Sequence, residues 1–123
     1  MTKLTREQVI GQYESGRRDF TEEDFSGLYL AGCDLQMADF TNTNFSKADL
    51  SFTLLTGSNL SGANFFYSDL SYADLTNSTL YETKFTKATL VNSCLLWTNM
   101  EGADMYLANL DGCEYQDSVD GDF

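Results

Sequence analysis

The sequence predicts an all-β solenoid: a four-sided column of about five coils, with a short helix over its N-terminal end. Three observations predict it. Every fifth residue from Phe20 to Tyr115 is large and apolar, without a break. Two residues before each of the last seventeen of these sits a small residue, from Cys33 to Cys113. Phenylalanine recurs every twenty residues, at Phe25, Phe45, Phe65 and Phe85.

A period of five suits neither standard element. Five helical steps of about 100° leave successive apolar residues roughly 140° apart, so they spiral instead of forming a stripe. In a straight strand an odd spacing would turn every second leucine to water. The chain must therefore bend once per repeat, each unit forming a short side and a corner. The large residue and the small one two before it then both point inward.

The twenty-residue recurrence fixes the number of sides. Equivalent positions of stacked coils touch and tend to resemble each other. The phenylalanine series is matched by Leu30, Leu50, Leu70, Leu90 and Leu110, also twenty apart, so four sides of five residues close one coil. At a strand spacing of about 4.8 Å, five coils stack to roughly 24 Å.

An open coil exposes apolar core and unpaired backbone, so its ends need covers. Thr5, Arg6, Glu7 and Gln8 have capping-box spacing, Leu4 and Val9 stand as a hydrophobic staple, and Gly16 offers a stop. A helix over residues 6–15 is expected, laying Val9, Ile10 and Tyr13 on the first coil. Residues 1–18 thus form a capping segment and 19–115 the β-helix. Residues 116–123 form an acidic tail, expected to fray, with Phe123 folding back.

Stretches such as Ala48-Asp49-Leu50-Ser51, Ala63-Asn64-Phe65, Ala73-Asp74-Leu75-Thr76 and Ala108-Asn109-Leu110 carry a further signal. They resemble the pentapeptide-repeat family, whose unit is commonly written A(D/N)LXX, over about four fifths of the chain. The resemblance implies a right-handed quadrilateral β-helix; short cyanobacterial members with a helical N-terminal cap look most similar.

Composition narrows the function. Histidine is absent, which removes the usual proton shuttle near neutral pH and the commonest metal ligand. The solenoid interior is filled, so no cleft is expected in which two carboxylates could converge. Asp19, Asp24, Asp34, Asp39, Asp49, Asp69, Asp74 and Asp104 precede core residues, point outward and are spread over all four faces. They read as turn-compatible surface residues, not as catalysts. Neither a cofactor nor a metal is expected, because zinc has no ligand set and the Asp-Gly-Asp of the tail lacks the rest of a calcium loop. Cys33 and Cys113 share one inward column four coils apart, about 19 Å, and Cys94 points outward, so all three are expected as free thiols.

The net charge of −12 argues against direct binding of nucleic acid. The N-terminal residues contain no apolar run long enough for a signal peptide or membrane span, and a cytoplasmic protein is expected. What departs from a bland surface is aromatic. Phe66, Tyr67, Tyr106 and Leu107 fall on the corner before the leucine face, and Phe52 and Tyr72 on the corner after it, forming a candidate protein-interaction surface. The expected function is a non-enzymatic scaffold that presents this rigid surface to a protein partner or to itself. The alternative, implied by the resemblance, is modulation of DNA gyrase by DNA mimicry. Against it, residues 47–100 carry a net charge of only −1, whereas residues 101–123 carry −7, so the acid is terminal and does not line a flank.

Overall fold

Glycine-like geometry at every corner is what lets this chain turn four times in twenty residues. A computed structural model describes residues 3–116. Most turns are closed in the manner of Leu50-Ser51-Phe52-Thr53, where the Thr53 N–H donates to the Leu50 carbonyl at 3.2 Å; at Ala38 the N–H donates to Ser58 Oγ instead, at 3.3 Å. The third residue of each turn has positive φ, at all nineteen corners from Glu22 to Gly112. A single left-handed third residue defines a type II turn. Six of these positions are glycine and thirteen are not, so most corners hold a side chain in a conformation that disfavours one.

Between corners the chain pairs with the next coil. Parallel bridges join residues twenty apart, from Asp19 with Asp39 to Cys94 with Glu114. Around Leu50, the Leu50 N–H donates to Asp69 O at 2.7 Å, the Phe52 N–H to Ser71 O at 2.9 Å, and the Asp49 N–H donates the other way, to Leu28 O of the preceding coil at 3.0 Å. Each side therefore points two N–H groups toward the C-terminal end and two carbonyls toward the N-terminal end. The stack is polar along its axis.

The interior follows the repeat. Phe20 to Leu95 at every fifth position are fully buried. Phe45, Phe65 and Phe85 stack with centroids 4.9 and 5.1 Å apart and planes within 5°. Small residues two positions earlier close the remaining space. Where these are threonine the hydroxyl finds a carbonyl, Thr43 Oγ1 on Phe20 O and Thr83 Oγ1 on Leu60 O, both at 2.7 Å. This satisfies a buried polar group that would otherwise destabilise the core.

Helix α1, Arg6–Glu14, is one residue shorter than the sequence expectation. Its capping box is complete, with Gln8 N–H on Thr5 Oγ1 at 3.2 Å and Thr5 N–H on Gln8 Oε1 at 2.9 Å. Val9 is fully buried and Leu4, Ile10 and Tyr13 pack partly against the core. The cap also supplies donors to the carbonyl-rich edge beneath it. Arg6 reaches Tyr29 O and Ala31 O at 3.1 Å, Lys3 reaches Ser26 O at 2.5 Å, Arg17 reaches Asp19 O and the Tyr13 hydroxyl reaches Gln36 O, each at 2.7 Å. Cations suit an edge made of acceptors. At the far end, Met105, Ala108, Leu110 and Cys113 are only partly buried, since no sixth coil covers them among the described residues. The expected tail, apart from Gln116, lies outside the described residues.

Candidate protein-interaction surface

The outward aspartates have local work. The Asp49 carboxylate accepts from the Ser51 N–H at 3.0 Å and the Ser51 hydroxyl at 2.7 Å, bridging its own corner. Asp24 and Asp39 do the same, and Asn64 accepts from the Phe66 N–H. These are Asx turns, in which a side chain two residues upstream takes the corner N–H. The hydrogen bonds from Thr21 to Asp19 and from Ser26 to Asp24 hold both carboxyls below their ordinary range. Among the described residues, no group of three acids or cysteines is placed to hold a metal ion.

The thiols are separate and free. Cys33 is buried, and burial pushes its pKa up. It forms part of the wall of a cavity of about 280 Å³ beneath α1, with Arg6, Ile10, Tyr13, Glu14 and Asp34. Cys113 is half-buried near the open end, and desolvation raises its thiol as well. Cys94 is also half-buried, its sulfur 3.1 Å from Thr76 Oγ1.

The six aromatic and apolar corner residues divide into three pairs. Phe52 and Tyr72 occupy the third corner position of adjacent coils, with φ of 61° at each. Their rings stack at 4.9 Å with planes 1° apart, so each covers one face of the other. Phe66 and Tyr67 are neighbours in one corner and meet edge to face at 4.5 Å. Phe66 is only half-exposed, less open than its outward position suggested, because Tyr67 lies against it. Tyr67 in turn receives the Lys87 ammonium, 5.2 Å from its ring centroid and 3.1 Å from its hydroxyl.

Tyr106 and Leu107 differ from both pairs. They are 66% and 62% exposed, and neither makes a ring contact among the described residues. Thr86 separates Tyr106 from Phe66 in the same column, so the four residues of this corner form two patches and not one. Trp97, 62% exposed, stands on the opposite corner of the square and belongs to neither. The leucine face between the two aromatic corners carries Tyr29, Asp49 and Asp69 on its outer side. Tyr29 is drawn toward the cap, beneath the Arg6 guanidinium at 4.8 Å.

One feature of this surface escaped the sequence reading. The three lysines Lys47, Lys84 and Lys87 lie on the Phe25 side and on the corner that carries Tyr67. The signal for them is the same twenty-residue register, applied to charge.

Comparison with known proteins agrees with this geometry. The family model of pentapeptide repeats (8 copies) matches residues 24–62, 43–80 and 58–95. No curated protein matches the chain. Among solved structures, a pentapeptide repeat protein from Nostoc Pcc 7120 is similar with a TM-score of 0.64 and 25% identity, covering 94% of this chain and 99% of that one. Rfr23, a pentapeptide repeat protein from the cyanobacterium Cyanothece 51142, has a TM-score of 0.58 at 19% identity, over 92% and 97% of the two chains. A third, from the Arabidopsis thaliana thylakoid lumen, has a TM-score of 0.50 at 28% identity, over 75% and 68%. The chain belongs to the pentapeptide repeat family: it is a right-handed quadrilateral β-helix, a structural repeat protein.

Proposed function

We propose that this protein is a binding or scaffold module that uses its rigid column to present corner side chains to a protein partner. One observation carries the reading. Tyr106 and Leu107 are large, apolar and exposed, and Leu107 sits at the left-handed corner position with φ of 59°. Glycine or asparagine would fit that position with less strain, and a polar residue would expose no apolar surface. Neither the turn nor the core asks for these side chains. A partner that covers them does.

The reading is tested by quantitative capture from the native host with the wild-type chain and with Tyr106→Ser plus Leu107→Asn as bait. Loss of specific partners at unchanged melting temperature is the expected result. An identical captured set removes the proposal. The three free thiols support a reducing compartment such as the cytoplasm. Among the described residues no helix is long and apolar enough to cross a membrane.

The competing reading for an acidic chain of this family is modulation of DNA gyrase by DNA mimicry. It requires acid along a flank, whereas here the Tyr67 corner carries lysines and many aspartates are tied into their own turns. Supercoiling by purified gyrase should be unaffected by a large molar excess of the protein. Inhibition or protection of the enzyme would replace the scaffold reading with this one.

A further inference from the structure

Beyond Arg18 the chain contains three cations, Lys47, Lys84 and Lys87, against many acids. The coil register gathers all three on one strip. Lys47 and Lys87 occupy the same corner column two coils apart, roughly 10 Å, with Tyr67 between them. Lys84 stands beside Lys87 on the outer side of the Phe25 face, bridged to Asn64 below and Asp104 above. In the second, third and fourth coils this strip carries no acid; Asp24 and Asp104 bound it at its ends.

Two observations separate these lysines from ordinary surface charge. Lys47 and Lys84 are exposed and make no side-chain hydrogen bond or ion pair among the described residues, even though Asp104 is in the coil next to Lys84. Lys47 and Lys87 also hold left-handed φ of 60° and 59°, positions where glycine would relieve strain. At Lys47 the fold gains nothing visible from the cation, whereas the Lys87 ammonium rests on the Tyr67 ring and hydroxyl and reaches the surface beside them. Between them Tyr67 is half-exposed and Phe66 lies edge-on against it, so cations and rings alternate along the column.

We infer that this strip is a docking site for a short acidic segment of a partner protein, with carboxylates on Lys47, Lys84 and Lys87 and an aromatic side chain on Tyr67. The inference rests on the scaffold reading and names the chemistry of the partner. Carboxylates two or three residues apart in an extended segment span roughly 7–10 Å, which matches the lysine spacing. At physiological ionic strength charges beyond about 8 Å are screened, so the strip is felt despite the net acidity of the chain. A nucleic acid or an anionic membrane presents its charge over a much longer surface and meets the other acids as well, which disfavours both.

The test is fluorescence anisotropy with the full chain and a labelled octapeptide, Gly-Asp-Tyr-Glu-Glu-Tyr-Asp-Gly. Its amide counterpart, with Asn and Gln replacing the acids, is one control; a single-stranded oligonucleotide and phosphatidylserine vesicles are the others. We expect the acidic peptide to bind about ten-fold more tightly than the amide peptide, more weakly at high salt, and about ten-fold more weakly to Lys47→Gln plus Lys87→Gln. Lys47 is exposed and Lys87 half-buried against Tyr67, and a single cooperative melting transition confirms that the variant folds. No binding, equal binding of the amide peptide, or undiminished binding to the variant overturns the inference, as does tighter binding of the oligonucleotide or the vesicles. If the peptide fails while capture still depends on Tyr106 and Leu107, only the acidic assignment falls. If capture fails too, the scaffold reading goes with it.

Discussion

At each corner a left-handed third residue must be reconciled with a side chain, and the ways this is done differ in what they serve. Gly57 follows Met37 in its column, and a Cβ there would lie 2.3 Å from the Met37 sulfur. Met37 is exposed and flexible enough to swing aside, so glycine at that corner answers the positive φ of 67° first and the contact second. Phe52 and Tyr72 offset their strain by stacking. Trp97, exposed and at φ of 62°, has no ring partner among the described residues. Trp97→Asn should therefore be neutral or stabilising, by up to about 1 kcal/mol, in chemical denaturation. A loss above that size would show that the indole packs where the structure leaves it exposed.

Asp24 makes a prediction about pH. Its carboxyl is lowered below the ordinary value of 3.8, first by the Ser26 hydroxyl and then by the Ser26 N–H. A depressed folded-state pKa contributes stability above the unfolded value, and this is lost as pH falls below about 4. Asp24→Asn should keep the turn, as Asn44 does with the Ser46 N–H at 2.9 Å, and flatten the acid limb of stability. Melting curves from pH 6 to pH 2.5 would show it; an unchanged slope between pH 4 and pH 2.5 would contradict it.

Among the elements, α1 does more than cover apolar surface. The coil stack ends below in carbonyls, and the cap brings Lys3, Arg6, Arg17 and the Tyr13 hydroxyl to them. This explains why four of the seven cations fall in the first eighteen residues of an acidic chain. Thr5→Ala removes the capping-box acceptor and should cost about 1 kcal/mol, read from the denaturation midpoint. An unchanged midpoint would mean that tertiary contacts of Val9 and Tyr13 alone set the helix.

How much of this was legible depends on which interactions repeat. Burial of the Phe20 to Leu95 series follows from spacing alone, because each core residue contacts its own kind in the next coil. The capping box was legible because it is local. The carbonyl edge was not, since it depends on which way each peptide points after the chain has coiled. The half-burial of Phe66 was also hidden, because Tyr67 could turn toward it or away. The lysine strip was written in the register and needed only charge to be placed on it.

For the whole molecule, a solenoid in which each coil contacts only its neighbours separates stability from recognition. Residues that face another coil hold the column together, and those that face only water are free to serve a partner. Corner residues divide along this line, and a paired comparison of two double variants measures the division. Phe52→Asn plus Tyr72→Asn should lose stacking energy of about 1 kcal/mol, partly offset by relieved strain, and still capture the same partners. Tyr106→Ser plus Leu107→Asn should keep the wild-type stability and lose them. If instead the second pair lowers stability while capture is unchanged, the exposed corner belongs to the fold and the account of a partner-binding surface is wrong.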